Sequence, residues 1–177
     1  MATDKQSSRL FFALWPSDQV RQSIVDIFSA VAIPENSRVI QPENLHITLH
    51  FLGQVELDRR ACMQQVACAL NDKSFVVNLD CLGYFTKAKI FWMGCQHLPV
   101  ELVQLHRDLG ESLANCGYQS ESRQYKPHVT LMRKCMEPLN GNKDFVIPWH
   151  VDEFALVESI SGSDGVRYQV IEKYPLA

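Results

Sequence analysis

The pattern His-x-Thr-Leu occurs twice, as His46-Ile47-Thr48-Leu49 and as His128-Val129-Thr130-Leu131, once in each half of the chain. Both copies sit among strand-forming residues. Side chains alternate faces along a strand, so Leu45, Ile47, Leu49 and Phe51 share one face and His46, Thr48 and His50 the other. In the second copy Val129 and Leu131 point inward while His128 and Thr130 point away. Each copy therefore presents an imidazole and a hydroxyl side by side on its non-core face. If the two strands face each other across a cleft, two imidazoles and two hydroxyls converge there.

That set of groups suits a phosphodiester. With an ordinary pKa of roughly 6.5, one imidazole can be neutral and the other protonated near pH 7. One ring then deprotonates an attacking hydroxyl or water and the other protonates the leaving oxygen. The threonine hydroxyls can hydrogen-bond the phosphoryl oxygens between them. A single copy carries little information, and it is the duplication that turns the pattern toward function. His50, His97, His106 and His150 are read as structural. His50 lies four residues from His46, roughly 13 Å along a strand at about 3.3 Å per residue, too far to share a zinc ion. No cluster at short spacing supplies further metal ligands, and neither a Gly-rich phosphate loop nor a GxSxG elbow is present.

The 177 residues suit one domain, or one domain with two lobes, spanning 1–177. The net charge of −3 argues against a broad basic face for long nucleic acid. It leaves room for a local anion pocket, and Arg123, Lys126, Arg133 and Lys134 gather near the second motif. No apolar run is long enough to span a bilayer, and Met1 to Ser8 lack the apolar centre of a secretion signal. The six cysteines show no CxxC pair and no regular spacing. In apolar surroundings they read as reduced thiols of a cytosolic protein rather than a disulfide framework. No obvious apolar patch asks for a partner copy, so a monomer is expected.

Arg9 to Trp15, stopped by Pro16, reads as a buried strand. Ser17 looks like an N-cap, followed by Val20, Ile24, Ile27, Phe28 and Val31 at helical spacing. Leu45 to Leu52 is a strand ended by Gly53. A helix over Asp58 to Leu70 puts Cys62, Val66 and Leu70 on one face. Phe75 to Leu82 and Ile90 to Cys95 read as two strands. A third helix from about Pro99 to Cys116 buries Leu102, Leu105, Leu109 and Leu113, with Gly117 beyond its end. Pro127 to Met132 carries the second motif. Val151 to Glu158 and Val166 to Ile171 pair around the turn 161–165. The fold class is α+β, with helices packed outside antiparallel sheets.

These residues resemble the RNA 2′,3′-cyclic phosphodiesterase family, also called 2′-5′ RNA ligases, within the two-histidine phosphoesterases. The resemblance covers nearly the whole chain. It rests on Arg9-Leu-Phe-Phe-Ala-Leu, Asn44-Leu-His-Ile-Thr-Leu-His-Phe-Leu-Gly53, Lys126-Pro-His-Val-Thr-Leu-Met-Arg133 and the tail with Arg167-Tyr168. It implies a two-lobed, pseudo-twofold fold around a central groove, with no metal and no cofactor. It implies His46 as proton donor, His128 as proton acceptor, and Thr48 and Thr130 as phosphate donors. Arg133 occupies the position of the family's frequent arginine. In an unbroken strand, however, it would share the core face with Val129 and Leu131. Either the strand ends or bends there, or Arg133 serves another purpose.

The expected reaction is metal-independent hydrolysis of a 2′,3′-cyclic phosphate, on an RNA end or a nucleotide, to a 2′-phosphomonoester, with a weak reverse 2′-5′ joining. The rival readings are a 2′-5′ oligonucleotide phosphodiesterase and a non-catalytic nucleotide-binding module. Retention of both histidines and both threonines speaks for catalysis.

Overall fold

The structure, a computed structural model, describes residues 7–139, 144–162 and 165–177. Its elements are β1 (Ser7–Leu14), α1 (Asp18–Ser29), β2 (Arg38–Val39), β3 (Ile47–Glu56), α2 (Leu57–Cys68), β4 (Phe75–Leu79), β5 (Cys81–Phe85), β6 (Ile90–Gly94), α3 (Val100–Ala114), β7 (Val129–Arg133), β8 (Ile147–Val151), β9 (Glu153–Gly162) and β10 (Gly165–Pro175). An eight-stranded sheet runs β10-β9-β1-β3-β7-β6-β5, with β2 added on β7, and β4 and β8 form a separate pair. Every pairing is antiparallel. The fold is α+β, as the sequence indicates.

β1 explains why its sequence is an unbroken apolar run. Lying between β3 and β9, it is buried on both faces. Leu10, Phe12 and Leu14 join the main core, while Phe11 and Ala13 pack with Ala155 and Val157 on the opposite face, beneath the cleft. Fully burying a ring such as Phe12 contributes about 1.5–3 kcal/mol. Ile24 and Phe28 bury the inner face of α1, whose Ser17 cap accepts from the Val20 amide. α3 buries Leu102, Leu105, Leu109 and Leu113, as its spacing predicts, and Gly117 follows with a left-handed φ of 76°. On α2 the buried residues are Met63 and Ala67, one position round from the face expected from Cys62 and Val66.

The large sheet divides at its middle. β3 and β7 meet through the single pair Ile47↔Val129. On one side lie β10, β9, β1 and β3, and on the other β7 with β2, β6 and β5. These two parts of the sheet are not the two halves of the chain. The first is built from both ends of the sequence and the second mostly from its middle.

Several boundaries depart from expectation. β3 continues through Gly53, whose φ of 72° is accommodated inside the strand, to Glu56. The stretch expected as one strand over Phe75 to Leu82 divides at Asp80, because β4 pairs with β8 while β5 forms a hairpin with β6. β2 and β8 are too short or too mixed in composition to stand out in sequence. β9 and β10 run into the expected turn 161–165, pairing as far as Gly162 and Gly165, and its residues 163 and 164 lie outside the described residues.

The cysteine reading requires correction. Cys62 and Cys116, 54 residues apart in sequence, come to a Cα–Cα distance of 5.8 Å and form a disulfide joining α2 to the end of α3. Helix packing brings them together, and nothing in their sequence spacing announces it. Cys68, Cys81, Cys95 and Cys135 are free thiols.

Candidate active site

Both motif copies break their strand at the same residue. In β3, Phe12 pairs with His50 and Ala13 with Thr48, which leaves Leu49 as an extra residue. In β7, Phe91 pairs with Met132 and Trp92 with Thr130, which leaves Leu131 as an extra residue. Each is a β-bulge, and a bulge reverses the in-out alternation of everything after it. The expected facing of His50 and Phe51 is therefore overturned. His50 turns into the core with 3% of its surface exposed, and Phe51 turns out to the cleft with 43% exposed. The same device resolves the position of Arg133. Met132 takes the buried place and Arg133 is exposed on the cleft side, lining the same groove as His46 and Thr48. Phe51 and Arg133 are thus equivalent positions in the two copies.

The pair Ile47↔Val129 joins the middle residues of the two motifs. An antiparallel pair has a local twofold axis, so its register sets His46 level with Thr130 and Thr48 level with His128. His46 and Thr48 line one side of the cleft and Thr48 and His128 the other, and the same register places Thr130 opposite His46.

The two imidazoles are anchored alike. His46 Nδ1 lies 2.7 Å from the Asn44 carbonyl oxygen, and His128 Nδ1 lies 2.7 Å from that of Lys126. A carbonyl only accepts, so each Nδ1 carries the hydrogen and each Nε2 is left for chemistry. In the first copy Nε2 accepts from the Thr48 hydroxyl at 3.1 Å. Asn44 is itself clamped to β10. Its side-chain amide donates to the Val166 carbonyl, and its side-chain oxygen accepts from the Tyr168 amide. Across the cleft the Tyr125 hydroxyl donates to the Thr48 carbonyl at 3.1 Å, bridging the place where the strands part.

The surroundings of the two rings differ. His46 is boxed by Phe11 at 4.9 Å, Trp15 stacked at 5.6 Å and Tyr168 perpendicular at 5.2 Å. His128 meets the edge of Phe85 at 4.9 Å, with Trp92 behind at 6.2 Å. Trp92 lies flat across β5 only because residue 83 is glycine, where an added Cβ would fall 2.0 Å from the indole. Burial depresses both imidazoles, His46 down to about 4, and the Asn44 and Lys126 carbonyls partly oppose it. The charge of Arg133 lowers both rings, and that of Arg123 lowers His128 as well.

His50 and His106 keep the structural roles read for them. His50 Nε2 donates to the His106 carbonyl, and the two rings stack at 4.2 Å. His106 in turn stacks on Tyr125 at 3.8 Å. Several cleft residues were missed in the sequence. Arg9, Arg38 and Tyr168 line the His46 side, and Arg38 pairs directly across β2–β7 with Arg133. They come from strands remote in sequence, and nothing local marks them. Among the described residues no helix is long and apolar enough to cross a membrane.

A family model described as the 2′-5′ RNA ligase superfamily matches residues 35–162. A relative from Escherichia coli (strain K12), named RNA 2′,3′-cyclic phosphodiesterase, is 28% identical over 97% of this chain and 98% of its own length. Among solved structures, one described as a phosphoesterase superposes with a TM-score of 0.91 at 28% identity, over 97% of this chain and 99% of that one. An E. coli LigT structure complexed with 3′-AMP does so at 0.90, with 28% identity and the same coverage. The doubled motif, the cleft and these likenesses agree: the chain belongs to the 2′-5′ RNA ligase superfamily.

Proposed function

We propose that this protein is an RNA 2′,3′-cyclic phosphodiesterase, opening a 2′,3′-cyclic phosphate at an RNA or nucleotide end to a 2′-phosphomonoester. The observation that carries the reading is the matched pair of imidazoles, each with Nδ1 fixed on a carbonyl, so that Nε2 is the nitrogen left to exchange a proton, in His46 beside the Thr48 hydroxyl. Relatives bearing that name extend over nearly the whole chain. The phosphate sits between the two rings. Thr48 and Thr130 donate to its non-bridging oxygens, and Arg133 offsets their charge. A water oxygen attacks phosphorus and gives its proton to His128 Nε2. The bond from phosphorus to O3′ breaks, and O3′ takes a proton from His46 Nε2. None of these steps calls for a cofactor.

The depressed imidazoles fit this scheme once substrate is considered. In the open cleft, burial and Arg133 hold both rings neutral at pH 7. A phosphodiester anion between them favours the protonated form, so substrate binding itself loads the acid. The kcat/KM profile, which reports the free enzyme, is expected to be a bell centred below pH 6.5.

The test is hydrolysis of 2′,3′-cyclic AMP with EDTA present, with the two monophosphates resolved by chromatography. 2′-AMP is the expected product. A metal requirement would overturn the mechanism, and 3′-AMP would reverse the roles of the histidines. Absence of turnover together with binding would favour the nucleotide-binding module.

A further inference from the structure

His128 reaches the cleft at the end of an irregular stretch. Between the end of α3 at Ala114 and the start of β7 at Val129, no residue lies in a helix or strand. The sheet does little to place that stretch, because β3 and β7 share only the pair Ile47↔Val129. In that register Pro127 stands opposite Leu49. A proline has no amide hydrogen to give to a ladder, and Leu49 is the extra residue of the bulge. Beyond the one pair, the separation of His46 from His128 depends on side-chain ties.

Those ties run through rings. The His106 carbonyl accepts from His50 Nε2 at 2.7 Å, so His50 Nδ1 is left to accept from the Tyr118 hydroxyl at 3.3 Å. The bulge that turns His50 inward therefore lets it link the irregular stretch to α3. His50 comes this close to α3 because residue 110 is glycine, where an added Cβ would fall 2.9 Å from the imidazole. The His106 ring stacks on His50 at 4.2 Å and on Tyr125 at 3.8 Å, which makes one column of three rings.

At the end of the column the Tyr125 hydroxyl donates to the Thr48 carbonyl at 3.1 Å. Burial pushes this phenol up from its ordinary value, so it keeps its proton and remains a donor. Two grooves, one containing His46 and the other His128, meet at Thr48 and Phe51, which line both. The Thr48 hydroxyl bonds His46 Nε2. The chain leaving Tyr125 passes at once through Lys126, whose carbonyl holds His128 Nδ1. One phenol thus grips the first motif from a point three residues before the second histidine.

We propose that Tyr125 is a positioning residue, which sets the distance between the two imidazoles by tying the strand of the first motif to the stretch that delivers the second. It acts through Thr48 and Lys126, and the rings behind it keep the phenol from swinging away. Acid and base then meet phosphorus from fixed places, and a displacement of about 1 Å in a catalytic group can cost about 10²-fold in rate. The inference rests on the proposed reaction.

The experiment is steady-state hydrolysis of 2′,3′-cyclic AMP by wild type, Tyr125→Phe, His128→Ala and the double variant. Tyr125→Phe keeps the stacked ring and loses only the hydroxyl. It is expected to lower kcat about tenfold, with KM within about twofold of wild type. In the His128→Ala background there is no second imidazole to place, and the same substitution should cost less than about twofold. His106→Ala keeps the hydroxyl but removes the ring behind it, and should show the same pattern with a smaller loss. A kcat for Tyr125→Phe within about twofold of wild type, or a loss that falls on KM alone, would overturn the assignment. So would a loss carried unchanged into the His128→Ala background, which is what a purely structural role gives. Should Tyr125→Phe fail to fold, His106→Ala and its double variant with His128→Ala decide in the same way. Absence of hydrolysis by the wild type would remove the underlying reaction, and the role of Tyr125 with it.

Discussion

The two motif copies share a backbone and differ in what surrounds it. Both start at the one pair that joins the lobes, both bulge at the leucine, and both hold Nδ1 on the carbonyl two residues back. Beyond that frame they part. His46 sits in a box of three rings, His128 against an edge. After the bulge the first copy sends a phenyl group into the cleft and the second a guanidinium. A symmetric frame can deliver two equal imidazoles to one phosphate. Unequal surroundings are what can divide them into acid and base, since environment sets which ring holds the proton.

The frame itself is tested by removing either ring. His46→Ala and His128→Ala should each lower kcat by about 10²–10⁴-fold, with little loss of stability because both rings face the cleft. The double variant should lose less than the product, since acid and base act as a unit. Activity within a few-fold of wild type in either single variant would break the equivalence of the copies.

The positions after the bulges probe the asymmetry. Arg133→Ala removes a charge from beside the phosphate and should cost about 10–100-fold in kcat/KM, the scale of a charge-assisted contact at a reacting group. Phe51→Ala should cost only about two- to fivefold, as it removes an exposed ring from the divide between grooves. Steady-state kinetics on 2′,3′-cyclic AMP decides, and a reversed order would mean that equivalence in the backbone does not carry the roles assigned.

The smallest effect is on stability. His46 and His106 are held neutral by burial, each to about 4, and His50 and His128 are lowered in the same direction. Folded values below the unfolded 6.5 mean that the unfolded chain binds more protons as pH falls. Their contribution is full above pH 6.5 and is lost as pH falls toward 4. Thermal denaturation should show Tm declining across that window, and less steeply in His106→Phe. A flat Tm would contradict the burial argument.

The sequence alone reveals the doubled histidine and threonine, the strand around each, and the apolar faces of α1 and α3, because these depend on spacing within one segment. The bulges are invisible in it. Whether Leu49 is an extra residue depends on how β1 pairs with β3, so alternation carried past the bulge put His50 and Phe51 on the wrong faces. The puzzle of Arg133 has the same origin. The aromatic box escaped for another reason: Phe11 and Trp15 look like ordinary strand residues, and Tyr168 arrives from the far end of the chain. Cys62 and Cys116 meet through helix packing, which their spacing does not encode.

The central claim is that His46 serves the leaving oxygen and His128 the entering one. It is tested most directly with a 2′,3′-cyclic substrate whose bridging 3′ oxygen is replaced by sulfur. A thiolate departs without a proton, so the need for an acid disappears while the need for a base remains. His46→Ala should then regain activity to within about tenfold of wild type, while His128→Ala stays slow. Rescue of His128→Ala instead, or of neither variant, would contradict the account.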